Sequence, residues 1–163
     1  REAGSYGKDV KGLFRVHQFD KLEMFSFVHP DKSKGEHDLF LALQESMMQE
    51  LKIPYRAMLI CTGDMVGTDA KQYDLESWFP GENNYRETHS TSNSTDFQSR
   101  RLKARFRGVD GKLELVHTIN GTAFAIGRIL LAIMENYQTK NSVKVPKALQ
   151  KYMSEIKEVK FRR

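Results

Sequence analysis

Three runs with the alternation and the β-branched or aromatic content of strands, Tyr55–Cys61, Lys71–Phe79 and Tyr85–Thr91, follow one another with no helical segment between them. Parallel neighbours need a long crossover, usually a helix. The succession therefore predicts an α+β fold with an antiparallel β-sheet flanked by helices, and weighs against a doubly wound parallel sheet. Further strands are expected over Leu13–Val28, ended by His29-Pro30-Asp31, and over Lys112–Ile119. Helical spacing marks Glu36–Leu51, where Phe40, Leu43, Met47 and Leu51 recur at three and four residues, and also Ser94–Phe106 and Gly121–Tyr137. A short helical pattern at Leu149, Tyr152, Met153 and Ile156 follows Pro146.

The chain has 163 residues, 39% hydrophobic and 29% charged, the balance of one soluble globular domain and not of a disordered or membrane-embedded chain. No apolar run approaches the ~20 residues that cross a bilayer. Cys61 is the only cysteine, which excludes an intrachain disulfide and a thiolate zinc cluster and fits a reducing cytoplasm or organelle matrix. At the end of an apolar strand it reads as a core residue. The net charge of +5 permits attraction to polyanions without demanding it. The chain opens at Arg1-Glu2-Ala3-Gly4-Ser5 without an initiator methionine, and reads as part of a longer polypeptide.

Chemistry concentrates in two places. The Gly121–Tyr137 segment is apolar around nearly its whole circumference, yet carries Arg128. A guanidinium cannot shed its charge, so it needs a carboxylate, a phosphate or a route to solvent. A structural ion pair or a snorkelling side chain is the plainer reading, a phosphate ligand the sharper one. In Tyr85-Arg86-Glu87-Thr88-His89-Ser90, strand alternation sets Glu87 and His89 on one face and Arg86 and Thr88 on the other. An acid beside hydroxyls suits a hard cation such as Mg2+, although polar strand residues are more often a solvated face. Arg100, Arg101, Lys103, Arg105 and Arg107 would spread around a helix, where a solvated face is the default and RNA contact the minority option.

Taken in order, these segments resemble the seryl-tRNA synthetases, a class II family, over nearly the whole chain. Glu2-Ala3-Gly4-Ser5 and Gly12-Leu13-Phe14-Arg15-Val16-His17-Gln18-Phe19-Asp20-Lys21-Leu22-Glu23-Met24 look like the motif 2 loop and its second strand. Cys61-Thr62-Gly63-Asp64-Met65, Tyr73-Asp74-Leu75-Glu76, Tyr85-Arg86-Glu87 and Thr95-Asp96-Phe97-Gln98-Ser99-Arg100-Arg101 follow in the family's order. Asn120-Gly121-Thr122-Ala123-Phe124-Ala125-Ile126-Gly127-Arg128 looks like motif 3.

The resemblance implies the C-terminal part of a class II catalytic domain over residues 1–163, from the motif 2 loop through motif 3, without motif 1 or the N-terminal tRNA-binding coiled coil. It implies ATP-dependent activation of L-serine and transfer to tRNA(Ser), in a cytoplasmic homodimer with Mg2+ and no membrane. Glu2 would meet the adenine amino group, Phe19 stack on the base, and Val16 line it. Arg15 and Arg128 would grip the triphosphate as the catalytic arginines. Glu87 and Ser90 would hold Mg2+ and phosphate, and Glu23, Asn120 and Thr122 would shape the serine pocket. Two departures stand out. Arg1 falls where the motif has a variable position, which places the α-phosphate arginine before Arg1, and a regular strand would put Glu87 and Ser90 on opposite faces, so their joint use needs a bulge or strand end near Thr88. A catalytically silent paralogue kept as a binding module, and a ligase acting on a carrier protein, are the alternatives.

Overall fold

The computed structural model describes residues 12–162. Among them a five-stranded sheet, antiparallel throughout, runs in the order β1-β7-β4-β3-β2. Its strands are β1 (Lys21–Val28), β2 (Tyr55–Leu59), β3 (Lys71–Phe79), β4 (Asn84–Asn93) and β7 (His117–Ala125). Two small antiparallel ribbons stand apart from it, β5 (Arg105–Arg107) with β6 (Leu113–Leu115), and β8 (Ser142–Lys144) with β9 (Glu158–Lys160). The helices are α1 (Ser33–Leu51), α2 (Phe97–Leu102), α3 (Ile126–Tyr137) and a single turn, α4 (Lys147–Gln150). The antiparallel α+β architecture expected from the succession of strands is the one found. No described helix is long and apolar enough to cross a membrane.

The core forms where α1 and α3 meet β3. Met48, Leu51 and Ile53 pack with Leu75 and Phe79 and with Ile129, Ala132 and Ile133. Each of these apolar side chains loses its hydration here, worth about 1.5–3 kcal/mol for a fully buried one. The stripe that α1 buries is His37, Phe40, Gln44, Met48 and Leu51. It is rotated by one position from the expected stripe, so that Leu43 faces solvent and Gln44 lies inside. α1 ends on Lys52 in the left-handed conformation, with Pro54 just beyond.

Several boundaries differ from those expected. The segment preceding Lys21 is turn and irregular chain, so β1 is only the second half of the expected Leu13–Val28 strand. The expected helix over Gly121–Tyr137 is a strand to Ala125 and a helix from Ile126. A short apolar run is compatible with either state, and here the residues up to Ala125 pair with β1. Nor is α3 buried on all sides, because Ile126, Leu130 and Met134 remain 39–51% exposed along one stripe. The basic run does not share one helix: Lys103 caps α2 in the left-handed conformation, and Arg105 and Arg107 lie on β5. Cys61 is exposed, beyond the end of β2.

Candidate active site

Strands β4 and β7 pair at Thr91↔Gly121, Ser92↔Asn120 and Asn93↔Ile119, and among the described residues their ladder has no other rungs. Towards Glu87 on one strand and Ala125 on the other they diverge. The wedge opens onto a cavity lined by Leu13, Phe14, Arg15, Val16, Phe19, Lys21, Glu87, Thr88, Ser90, Thr122, Ala125, Gly127 and Arg128.

Two bulges shape its walls. Leu75 pairs with His89 and Glu76 with Glu87, which leaves Thr88 as an extra residue in β4. Leu22 pairs with Phe124 and Glu23 with Thr122, which leaves Ala123 as an extra residue in β7. Each bulge resets the two-residue alternation. Glu87 and Ser90, three apart, therefore line the same cavity, as do Thr122 and Ala125. The joint use of Glu87 and Ser90 needed an irregularity at Thr88, and the structure has one there. It also overturns the regular-strand reading that set Glu87 beside His89, since His89 is buried against Phe124.

Side-chain hydrogen bonds hold the β4 bulge. The Thr88 hydroxyl lies 2.7 Å from Ser77 Oγ and 3.0 Å from His89 Nδ1, and donates to the Leu75 carbonyl at 3.3 Å. Burial pushes the His89 imidazole down to about 4, so it is neutral at pH 7. On β3, Asp74 sits opposite Ser90. Burial is the main cause that raises its carboxyl to about 6, with Glu87 and Glu76 adding to it, while the Gln72 amide and Arg128 pull the other way.

Arg128 stands in the first turn of α3, not in mid-helix, because the helix starts at Ile126. Its Nη1 donates to the Glu87 carbonyl at 2.8 Å and lies 3.3 Å from the Glu87 carboxylate; its Nε donates to the Phe14 carbonyl at 3.3 Å. Of the partners the sequence leaves open, the structure supplies a carboxylate; it adds two main-chain carbonyls, and the side chain lies on the cavity wall. Phe14 also stacks beneath Arg86, 4.3 Å from its guanidinium carbon, and touches Phe79, so the irregular segment is anchored to the core.

Arg15, Val16 and Phe19 line the cavity from that segment, not from a strand. Phe19 keeps 37% of its surface exposed. Because Phe19 precedes β1, strand alternation does not relate it to Glu23. Glu23 instead sits opposite Thr122 and pairs with the cavity residue Lys21 at 2.9 Å, just outside the lining. Asn120, two residues from Thr122, lies in the paired part of β7 and also outside the lining. Thr122 is on a strand, so helical turns do not measure its distance from Arg128. Glu2 lies outside the described residues. The sequence reading missed Lys21 and Gln44; a neutral amide on the buried stripe of α1 gives no pattern that would single it out.

A family model for the tRNA synthetase class II core domain (G, H, P, S and T) matches residues 1–137, and the chain belongs to that family. Within it, the chain is 53% identical over 160 residues to the serine–tRNA ligase of Bdellovibrio bacteriovorus, covering 98% of this chain and 37% of that protein. To the serine–tRNA ligase of Neisseria gonorrhoeae it is 52% identical, over 95% of this chain and 36% of the relative. The seryl-tRNA synthetase of Pyrococcus horikoshii, solved with ATP, superposes with a TM-score of 0.91 at 47% identity, over 96% of this chain and 35% of that one. The cytoplasmic serine–tRNA ligase of Naegleria fowleri, solved with AMP, gives 0.89 at 44% identity, over 96% and 37%. The chain thus spans little more than a third of the length of these relatives.

Proposed function

We propose that this chain is the C-terminal part of the catalytic domain of a serine–tRNA ligase, which in the complete protein activates L-serine with ATP and passes the seryl group to tRNA(Ser). The observation that carries the reading is the wedge itself, where aromatic rings, two arginines, a carboxylate and three hydroxyls converge on one cavity. In this reading Phe19 stacks on adenine beside Val16, Glu2 meets the adenine amino group, and Arg15 and Arg128 neutralise the triphosphate. Thr122, with Glu23 and Asn120 behind it, orients serine.

The serine carboxylate attacks the α-phosphorus in line, its new P–O bond forming as the bond to pyrophosphate breaks. The seryl group then moves to a terminal ribose hydroxyl and AMP leaves. No covalent bond to the protein is needed, and the side chains contribute alignment and charge neutralisation. Glu87 and Ser90 present hard oxygens on one wall, which fits Mg2+, a cation that takes few protein ligands and fills its shell with water and phosphate. Bound there, Mg2+ would supply charge neutralisation at the phosphate oxygens. A homodimer in the cytoplasm completes the proposal; the single exposed cysteine is compatible with a reducing compartment.

The test is amino-acid-dependent ATP–pyrophosphate exchange by the complete protein. A small pocket built to pair a hydroxyl rejects alanine strongly and threonine by shape alone, so the expected order is serine, then threonine, then alanine. Alanine activated at a rate near that of serine would overturn the pocket. The 163 residues alone should charge little or no tRNA.

A further inference from the structure

The next pair beyond the last β4–β7 rung would be Ser90 opposite Thr122, the place where the strands part. A buried main-chain carbonyl left without a donor costs about 1–3 kcal/mol. Here the donor comes from outside the sheet. Gln44 of α1, with no exposed surface, donates from Nε2 to the Ser90 carbonyl at 2.9 Å and to the Thr122 carbonyl at 2.8 Å. Both partners are acceptors, so only the NH2 end of the amide can serve them.

The approach depends on Gly121. A Cβ there would lie 2.9 Å from Thr91 Oγ1 and 3.3 Å from Gln44 Nε2. Gln44 Oε1, meanwhile, is buried with no hydrogen-bond partner. An amide kept at that cost, on a stripe where Phe40 and Met48 simply pack, calls for a reason beyond packing.

We propose that Gln44 is a positioning residue of the active site. It fixes the spacing of Ser90 and Thr122 and so couples the phosphate wall on β4 to the amino-acid wall on β7. This rests on the function proposed above. By alternation the Ser90 side chain faces away from Thr91, whose hydroxyl neighbours Gly121 and Gln44, so Gln44 acts from behind the cavity without touching what the cavity holds.

In the complete protein, Gln44→Met keeps the length of the side chain and removes both donors. Serine-dependent exchange should persist, while KM for serine and the Mg2+ concentration giving half-maximal rate rise together, each on the order of tenfold. Without any ligand, amide hydrogen exchange should quicken in the segments around Ser90 and Thr122. Gln44→Leu, which removes the same donors with a different shape, should shift the same parameters in the same direction, and it decides the matter should the methionine variant fail to fold. A lower melting temperature with both parameters unchanged, or movement of only one of them, overturns the proposal. If the unsubstituted complete protein shows no serine-dependent exchange, the functional reading falls and the coupling falls with it.

Discussion

Between Thr91–Asn93 and Ile119–Gly121, β4 and β7 pair residue for residue, whereas at Glu87–Ser90 and Thr122–Ala125 each strand bulges and the two part. Serine and threonine occur at both ends, so their presence alone does not separate the two. What differs is who satisfies the backbone. At the paired end strand bonds to strand, with the His37 ring at the Thr91 carbonyl and the Thr91 hydroxyl at the Asn120 carbonyl besides, whereas at the parted end no rung is left and Gln44 and Arg128 donate to main-chain carbonyls while Thr88 holds its own bulge. A sheet can be opened without exposing raw backbone if side chains replace the missing rungs.

If the parted end is a site and the paired end a scaffold, Arg128→Ala should show the largest effect. ATP–pyrophosphate exchange by the complete protein should fall ~100- to 1000-fold, the scale of losing one preorganised charge partner. Exchange that survives while only the melting temperature drops would make Arg128 part of the scaffold. His89 comes next. Its pKa is depressed from 6.5 to about 4, so its contribution to stability is present above pH 6.5 and is lost as pH falls towards 4, on the order of 3 kcal/mol in all. Urea unfolding across that range should show the loss, and His89→Gln should flatten it.

Thr88→Val removes the hydroxyl that joins Ser77, His89 and the Leu75 carbonyl, at an expected cost of about 2 kcal/mol. It sharpens the comparison because the Mg2+ requirement for exchange should rise with it; unfolding that weakens while the Mg2+ requirement stays put would confine the bulge to a structural role. The smallest effect is that of Asp74. Its carboxyl is raised to about 6, so the folded chain holds the proton better than the unfolded one, and the benefit is lost as pH rises from about 4 through 6. Asp74→Asn should therefore stabilise the fold near pH 8 by no more than about 1 kcal/mol in a half-buried, screened position, read as a higher melting temperature, with the gain vanishing near pH 4.

The sheet was legible because β3 and β4 carry their own alternation and turn signals. The bulge at Thr88 was legible only through the chemistry asked of Glu87 and Ser90. Less could be read where one composition suits two states, as at Thr122–Ala125, whose small and apolar residues fit a strand against β1 as well as a helix. The start of β1 was misplaced because Val16 and Phe19 look like strand residues while they serve the cavity wall. Gln44 escaped because helical periodicity favours the apolar Leu43, and only the gap between two distant strands calls for an amide at that spot.

The extra residues Thr88 and Ala123 also mean that this pocket depends on counting as much as on identity. Straightening either bulge with every residue kept would leave every carboxylate, hydroxyl and guanidinium of the wall in place in the sequence, yet the three-residue spacing would then turn Glu87 away from Ser90, or Thr122 away from Ala125, to opposite sides of the sheet. Deleting the extra residue has the opposite consequence, since it sets each pair two apart, the spacing at which a regular strand already keeps both on one face.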